Sequence, residues 1–363
     1  SEMCIRDSLV GTGIYLTIRL GLLQIIRLPK AFKLIFAEDK GEGDISSFAA
    51  LATALAATIG TGNIVGVATA IKTGGPGALF WMWIAAFFGM ATKYAEGLLA
   101  IKFRTLDDQG NVSGGPMYYI THGFSGKWQI IAKPLAYFFA FAGVLVAWLG
   151  IGTFSQVNSI TSSLQNSFGW SPKIVSVILA LITAAIIFGG IQSISKVSEK
   201  VVPFMAGLYI IAALIVIFAN FNQLLPVLEM VFQSAFTGKA AVGGFAGATV
   251  MAAMRLGIAR GVFSNESGLG SAPIAAAAAK TEEPVEQGLI SMTGTFIDTI
   301  IICTLTGLAI LVTGQWSGSL EGAPMTQAAF SSIFGTFGEL ALTLSLVLFA
   351  FTTVSYTHLT LPT

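Results

Sequence analysis

Long apolar stretches alternate with short polar ones along almost the whole chain, and most are close to the roughly 20 residues that an α-helix needs to cross a bilayer. The pattern predicts spans over 9–28, 48–72, 78–101, 134–160, 174–190, 201–221, 244–278, 288–313 and 334–354. Two of them are not uniform. In the second, the run from Thr58 to Asn63 sets Gly60 and Gly62 among Thr58, Thr61 and Asn63 at mid-span. Glycine loosens helical backbone, and in hydrocarbon each unpaired N–H or C=O is costly. This stretch reads as an interruption lining a cavity, with free N–H and C=O groups on either side of it. The alternative is a glycine face against which another helix packs.

The seventh span holds Gly257, Gly261, Gly268 and Gly270, with Pro273 beyond and Ser264, Asn265, Glu266 and Ser267 among them. Glycines and proline at this density predict a helix broken throughout, between apolar half-helices at 245–253 and 274–279. A surface loop is the alternative. Charge gives the direction of each crossing. Arg27, Lys30, Lys33, Lys40, Lys102, Arg104, Lys127, Lys133, Lys196, Lys200 and Lys280 fall on one side, and Lys72, Lys173 and Lys239 on the other. The positive-inside rule assigns the first group to the cytoplasm. The two irregular helices, first and sixth when counted from the second span, then cross in opposite directions. That is the pattern of an inverted-topology repeat with a site where the repeats meet.

Composition narrows the class. Of 363 residues, 54% are hydrophobic and 10% charged, against about 25% charged in soluble domains, and mean hydropathy is +0.79. An integral, multi-span membrane protein follows: transporter, channel or membrane enzyme. A net charge of +1 without a basic, aromatic-laced stripe argues against nucleic acid. Cys4 and Cys303 suit neither a disulfide framework nor a metal site. With His122 and His358 the only histidines, no nucleophile–base or metal-ligand spacing supports an enzyme. A channel would want one continuous polar pore, whereas two separate breaks suit an occludable site. Residues 1–8 and 355–363 turn polar abruptly beside apolar runs and read as non-native flanks, which leaves 9–354 as an incomplete transporter domain.

Four ionisable residues fall in or near spans, where a charge is a functional hypothesis by default. Lys93 and Glu96, three apart on one helical face, are expected to pair and to be structural or gating. Glu266 is expected to pair with Arg260 or Arg255. Asp298 stays open between a sodium-site carboxylate, a proton carrier and a helix-to-helix tether, the tether or an indirect electrostatic role being favoured.

Several strings carry a resemblance: ALAATIGTGNIVGVATA at 54–70, GGPG at 74–77, MATKYAE at 90–96, GGPMYY at 114–119, RGVFSNESGLGSAP at 260–273 and FIDT at 296–299. In this order, from about Gly11 to Thr353, they resemble the alanine/glycine:cation symporter family, the sodium:alanine symporters. The resemblance implies an all-α, leucine-transporter-like inverted-repeat bundle with one extra leading helix, about nine of eleven spans being present. It implies symport of a small neutral amino acid, alanine or glycine, with Na+ as coupling ion and no further cofactor, across the plasma (inner) membrane of the cell. For such a substrate, the N–H groups of Thr61 and Gly62 suit the carboxylate. Carbonyls at Thr58 and around Phe263, Ser264 and Asn265 suit the ammonium. Gln156 resembles a substrate-facing position, a helix–helix hydrogen bond being its alternative; Phe263 is a lid or wall, or ordinary packing. By analogy with that core, Asn63 and the Thr58 carbonyl suit one sodium, and the Ala56 and Ile59 carbonyls with the Thr352 and Thr353 hydroxyls a second. A bond to the preceding turn's carbonyl is the alternative for each hydroxyl. Proton-coupled uptake through Asp298 or Glu266 is the rival transport reading.

Overall fold

The computed structural model describes residues 2–39, 41–106, 112–149, 151–237 and 250–357. Apart from one short antiparallel pair, β1 (Thr105–Leu106) with β2 (Val112–Ser113), the described chain consists of helices and the links between them. Helix α1 is Glu2–Arg19, where the first span was expected to continue to residue 28. Gly21 and Leu22 both adopt left-handed backbone and turn the chain. It then enters the amphipathic α2 (Leu28–Ile35), which buries Ala31 and Ile35 and sets Phe32 edge-on to Phe296, centroids 5.7 Å apart.

The second span is two helices, α3 (Ser47–Thr58) and α4 (Val67–Gly74), joined through a π-helical turn at Gly62–Gly66. The two arms bend by 50°. α3 starts where it does because Ser46 Oγ accepts from Ala49 N (3.0 Å) and Asp39 accepts from Ser47 N (2.7 Å), satisfying two N–H groups of the first turn. Helix α5 (Gly77–Lys102) is the most central long helix, packing on α1, α11 and α13.

The span expected over 134–160 is two helices, α6 (Gln129–Leu149) and α7 (Ile151–Phe168). The second is rich in Ser, Thr, Asn and Gln, which is why apolarity alone did not separate it. Next come α8 (Pro172–Ile187), α9 (Gly190–Ala219) and α10 (Phe221–Thr237), the last not anticipated from hydropathy. Helix α11 (Val250–Asn265) and the short α12 (Ala272–Ala277) form the second interrupted pair. Part of the expected half-helix at 245–253 lies outside the described residues, as do Lys40, Lys239 and the end of the chain with His358. The order closes with α13 (Pro284–Val312), π-wound at Phe296–Cys303, then α14 (Gly322–Phe334), also unanticipated, and α15 (Thr336–Thr357).

Among the described residues, five helices are long and apolar enough to cross a membrane, six if α3 and α4 count as one bent span. The other three expected spans correspond to α1, the 16-residue α8 and the interrupted α11–α12. The main core runs between α3–α4, α5, α9, α13, α14 and α15. At its centre Tyr209 donates to or accepts from Thr306 at 2.6 Å, beside Phe330 and Phe349.

One correction concerns the second break. Gly257 and Gly261 do not interrupt α11. A Cβ at Gly257 would lie 2.3 Å from the Ala78 carbonyl oxygen, and one at Gly261 would lie 3.1 Å from Ala85 Cβ, so these glycines let α11 press against α5. Pro273 sits in the first turn of α12, where a missing N–H costs nothing, and helps to start that helix.

The lead into α3 and the exit from α12 are tied together. Asp44 N and Ile45 N both donate to Ala278 O (2.9 and 3.1 Å), and Lys280 N donates to Ile45 O (2.8 Å). Arg104, just past α5, donates to four carbonyls: Ala277, Ala279, Thr281 and Glu42, at 2.7–2.8 Å. Burial pulls its guanidinium pKa below the ordinary value, with Glu42 and Asp44 opposing.

Candidate functional site

At the first break α3 ends at Thr58, and Ile59 turns to extended backbone. Glycines on either side of Thr61 make continuing the helix unfavourable, so neighbouring side chains take over the freed N–H groups. Gly60 N donates to Asn63 Oδ1 (2.8 Å), and Thr61 N donates to Gln156 Oε1 of α7 (3.1 Å). Gly60 is also required by space. A Cβ there would sit 2.7 Å from Thr353 Oγ1 and 3.2 Å from Gln156 Nε2.

The second break is the link between Asn265 and Ala272. Glu266, Gly268 and Gly270 all have positive φ there (53°, 86° and 79°), a region open to glycine and strained for glutamate. Glu266 turns its carboxylate to Ser271 Oγ, which donates to it, and not to the arginines expected from the sequence. Arg260 instead lies over the Phe263 ring, 5.8 Å from its centroid. Lys93 and Glu96 likewise take backbone partners. Lys93 Nζ donates to the Asn265 and Glu266 carbonyls (3.0 and 3.2 Å), and Glu96 Oε1 accepts from Gly270 N (3.0 Å).

The two breaks meet. A Cβ built on Gly62 would lie 3.4 Å from Ser264 Cα and 3.5 Å from the Phe263 ring. Asp298, fully buried in the π-wound part of α13, binds both. Its Oδ1 accepts from Asn63 Nδ2 of the first break (2.7 Å), and its Oδ2 accepts from Ser264 Oγ of the second (2.9 Å) and from Thr299 Oγ1 (2.7 Å). Asn265 Nδ2 donates to Thr299 Oγ1 (3.2 Å), and Cys303 Sγ lies 3.4 Å from both Asn63 Nδ2 and Ser264 Oγ. Asn63, Asn265, Asp298, Thr299 and Cys303 have no exposed surface. Burying a carboxylate is costly unless donors or a cation answer it. Here three neutral side chains do so, and its geometry is that of the tether.

A second, smaller cluster lies at the end of α3. Thr353 Oγ1 is 3.1 Å from Ala56 O, 3.3 Å from Ala57 O and 3.1 Å from Phe349 O. Thr352 points elsewhere, bonding Phe349 O (2.9 Å) beside Met205 Sδ. Of the expected sodium pair, the structure therefore brings only Thr353 onto the first break. Thr58 is buried, with its hydroxyl 3.4 Å from Leu55 O. Phe263 is 39% exposed, with its ring beside Gly62. The Thr61 N–H expected for a substrate carboxylate is taken by Gln156, a partner that an incoming carboxylate could replace.

Sequence reading missed Thr299 and Cys303 as members of the cluster. Residues 298 and 303 do not share a face at 3.6 residues per turn, and only the wider π winding brings both to the breaks.

Residues 2–360 match the family model described as the sodium:alanine symporter family. The sodium/alanine symporter AgcS of Methanococcus maripaludis is 52% identical over 355 residues, 95% of this chain and 76% of that protein. An uncharacterized transporter of Haemophilus influenzae is 55% identical, covering 95% and 75% of the two chains. GlnT of Bacillus subtilis, named a probable sodium/glutamine symporter, is 40% identical over 94% of this chain and 70% of its own.

Proposed function

We propose, from the premise that this chain belongs to the sodium:alanine symporter family, that it carries a small neutral amino acid together with sodium by alternating access. It is an amino-acid symporter and an integral membrane protein; its family and relatives are transporters and not enzymes. The finer reading names alanine or glycine as substrate, Na+ as driving ion and the plasma membrane as its place, in a leucine-transporter-like inverted-repeat bundle.

One observation carries this reading: Asp298 accepts from Asn63 of one break and Ser264 of the other. Any cation drawn to this carboxylate engages both interrupted helices at once, so ion binding and the shape of the amino-acid pocket are linked. By linkage, each ligand then raises affinity for the other by the same factor. The substrate carboxylate takes the Thr61 and Gly62 N–H groups, displacing Gln156 Oε1, whose amide is free to rotate and donate to it. The ammonium meets carbonyls near Thr58 and Phe263 to Asn265. A second sodium is held by carbonyls at Ala56 and Ile59 with Thr353, and Thr352 joins only if its hydroxyl rotates.

The complete burial of Asp298, with uncharged side chains as its bonded partners, favours a second reading, in which this carboxylate carries a proton. One experiment separates them: uptake of radiolabelled alanine into liposomes holding the protein, driven by a sodium gradient or by a pH gradient in sodium-free buffer. Sodium-driven uptake with competition by glycine is expected. Uptake on the pH gradient alone would select the proton reading, and stronger competition by glutamine would move the substrate assignment.

A further inference from the structure

The link at the second break leaves backbone groups of opposite polarity at its two ends. Carbonyls of Asn265 and Glu266 close α11, and the Gly270 N–H precedes α12. Two buried charges, one turn apart on α5, answer them separately. Lys93, 2% exposed, holds the carbonyl end, and Glu96, 7% exposed, holds the amide end. An ion pair alone would compensate the burial of both charges, but it would not sort them by backbone polarity. Here the cation faces the carbonyl end of a 16-residue helix, where its dipole and charge-assisted hydrogen bonds both favour it.

We propose that Lys93 and Glu96 are positioning residues for the ligand site: a two-charge clamp that fixes the link and so holds Ser264 and Asn265 against Asp298 and Thr299. The inference rests on the site reading given above. Asn265 is the pivot, because its carbonyl is held by Lys93 while its side chain donates to Thr299. Ser264, one residue earlier, reaches Asp298. Releasing the carbonyl end therefore loosens the side chains that form the cluster, without removing any of them.

Two measurements test this on the full chain in liposomes. In sodium-driven alanine uptake, Lys93→Met and Glu96→Gln should raise the half-saturating concentrations of alanine and sodium together by about tenfold, within the usual range of site–site coupling, while the maximal rate changes much less. Lys93→Arg, which keeps a cation, should recover most of the loss. The double exchange Lys93→Glu with Glu96→Lys keeps the two charges as neighbours but reverses them against the backbone. It should be no better than the worse single variant, and wild-type half-saturation in it overturns the clamp in favour of an ion pair. The second measurement does not depend on transport. Cys303 lies within the cluster, so in a Cys4→Ser background its alkylation rate reports opening between the breaks. Labelling under native conditions, well below each variant's unfolding temperature, should rise by about tenfold in Lys93→Met, a local opening, and fall back in Lys93→Arg. Equal labelling in all variants, or an equal rise in a core variant remote from the breaks with a similarly lowered unfolding temperature, such as Val231→Ala on α10, overturns the proposal. Faster labelling in a protein that moves no amino acid on a sodium gradient keeps the clamp and removes the transport reading.

Discussion

The two interruptions solve the same problem with different groups. At the first, every described partner of the freed backbone is neutral: Asn63 on Gly60 and Gln156 on Thr61. At the second, the ends are met by buried charges from α5 and the turn by Glu266. A neutral amide can be displaced by a ligand that offers a carboxylate, at the loss of one ordinary hydrogen bond. A buried charge on backbone cannot leave so cheaply, because it would stay desolvated and unpaired. The first break is therefore the side that can respond to a ligand, and the second the side that is held. Asp298 joins the responsive half to the fixed one.

That contrast can be broken at its joint. Asp298→Asn keeps one acceptor oxygen but turns an amide N–H toward donors from Asn63, Ser264 and Thr299, so one break loses its acceptor and the join between the two is cut. Sodium-driven uptake should fall by about a hundredfold or more, with a loss of about 3 kcal/mol in stability, as for a buried charged network with one partner removed. Uptake and thermal unfolding check the two parts. An intermediate effect is expected on the responsive side. Asn63→Ala strands the Gly60 N–H and frees one Asp298 oxygen, so alanine affinity and its sodium dependence should weaken together by about tenfold. Binding measured across a sodium series decides it, and an unchanged sodium dependence would remove Asn63 from the site. The smallest effect sharpens the second cluster. Thr353→Val should raise the half-saturating sodium concentration by about threefold, the worth of one modest hydrogen bond or ion ligand, while Thr352→Val should leave it near the wild-type value. Equal shifts would show that Thr352 turns toward the ion.

Much of this was legible in the sequence because glycine and polar side chains inside an apolar run are costly without a reason. The two interruptions and the interest of Asp298 followed from that, and the pairing of the interruptions followed from their positions together with the loop charges. What the sequence concealed was of two kinds. Gly257 and Gly261 look like Gly268 and Gly270 on paper, yet the first pair serves packing against Ala78 and Ala85 while the second serves left-handed turns. Only the neighbouring helix distinguishes them. Lys93 and Glu96 similarly look like an i, i+3 pair, and their backbone partners some 170 residues away are set by the fold. The helices α10 and α14 went unseen, although α14 buries Met325, Thr326, Ala329 and Phe330 against the core.

The knot at Arg104 has a mechanical consequence. One guanidinium grips the segment entering α3 at Glu42 and the end of α12 and the segment beyond it at Ala277, Ala279 and Thr281, and it is itself anchored at the foot of α5. The foot of α5 and the exit from α12 cannot part without stripping three charge-assisted contacts in one event, and the lead into α3 is held by one more and by three backbone bonds to the α12 exit. A passage toward that end of the molecule must therefore be uncovered by a single collective displacement of all three, with one barrier in place of three small ones.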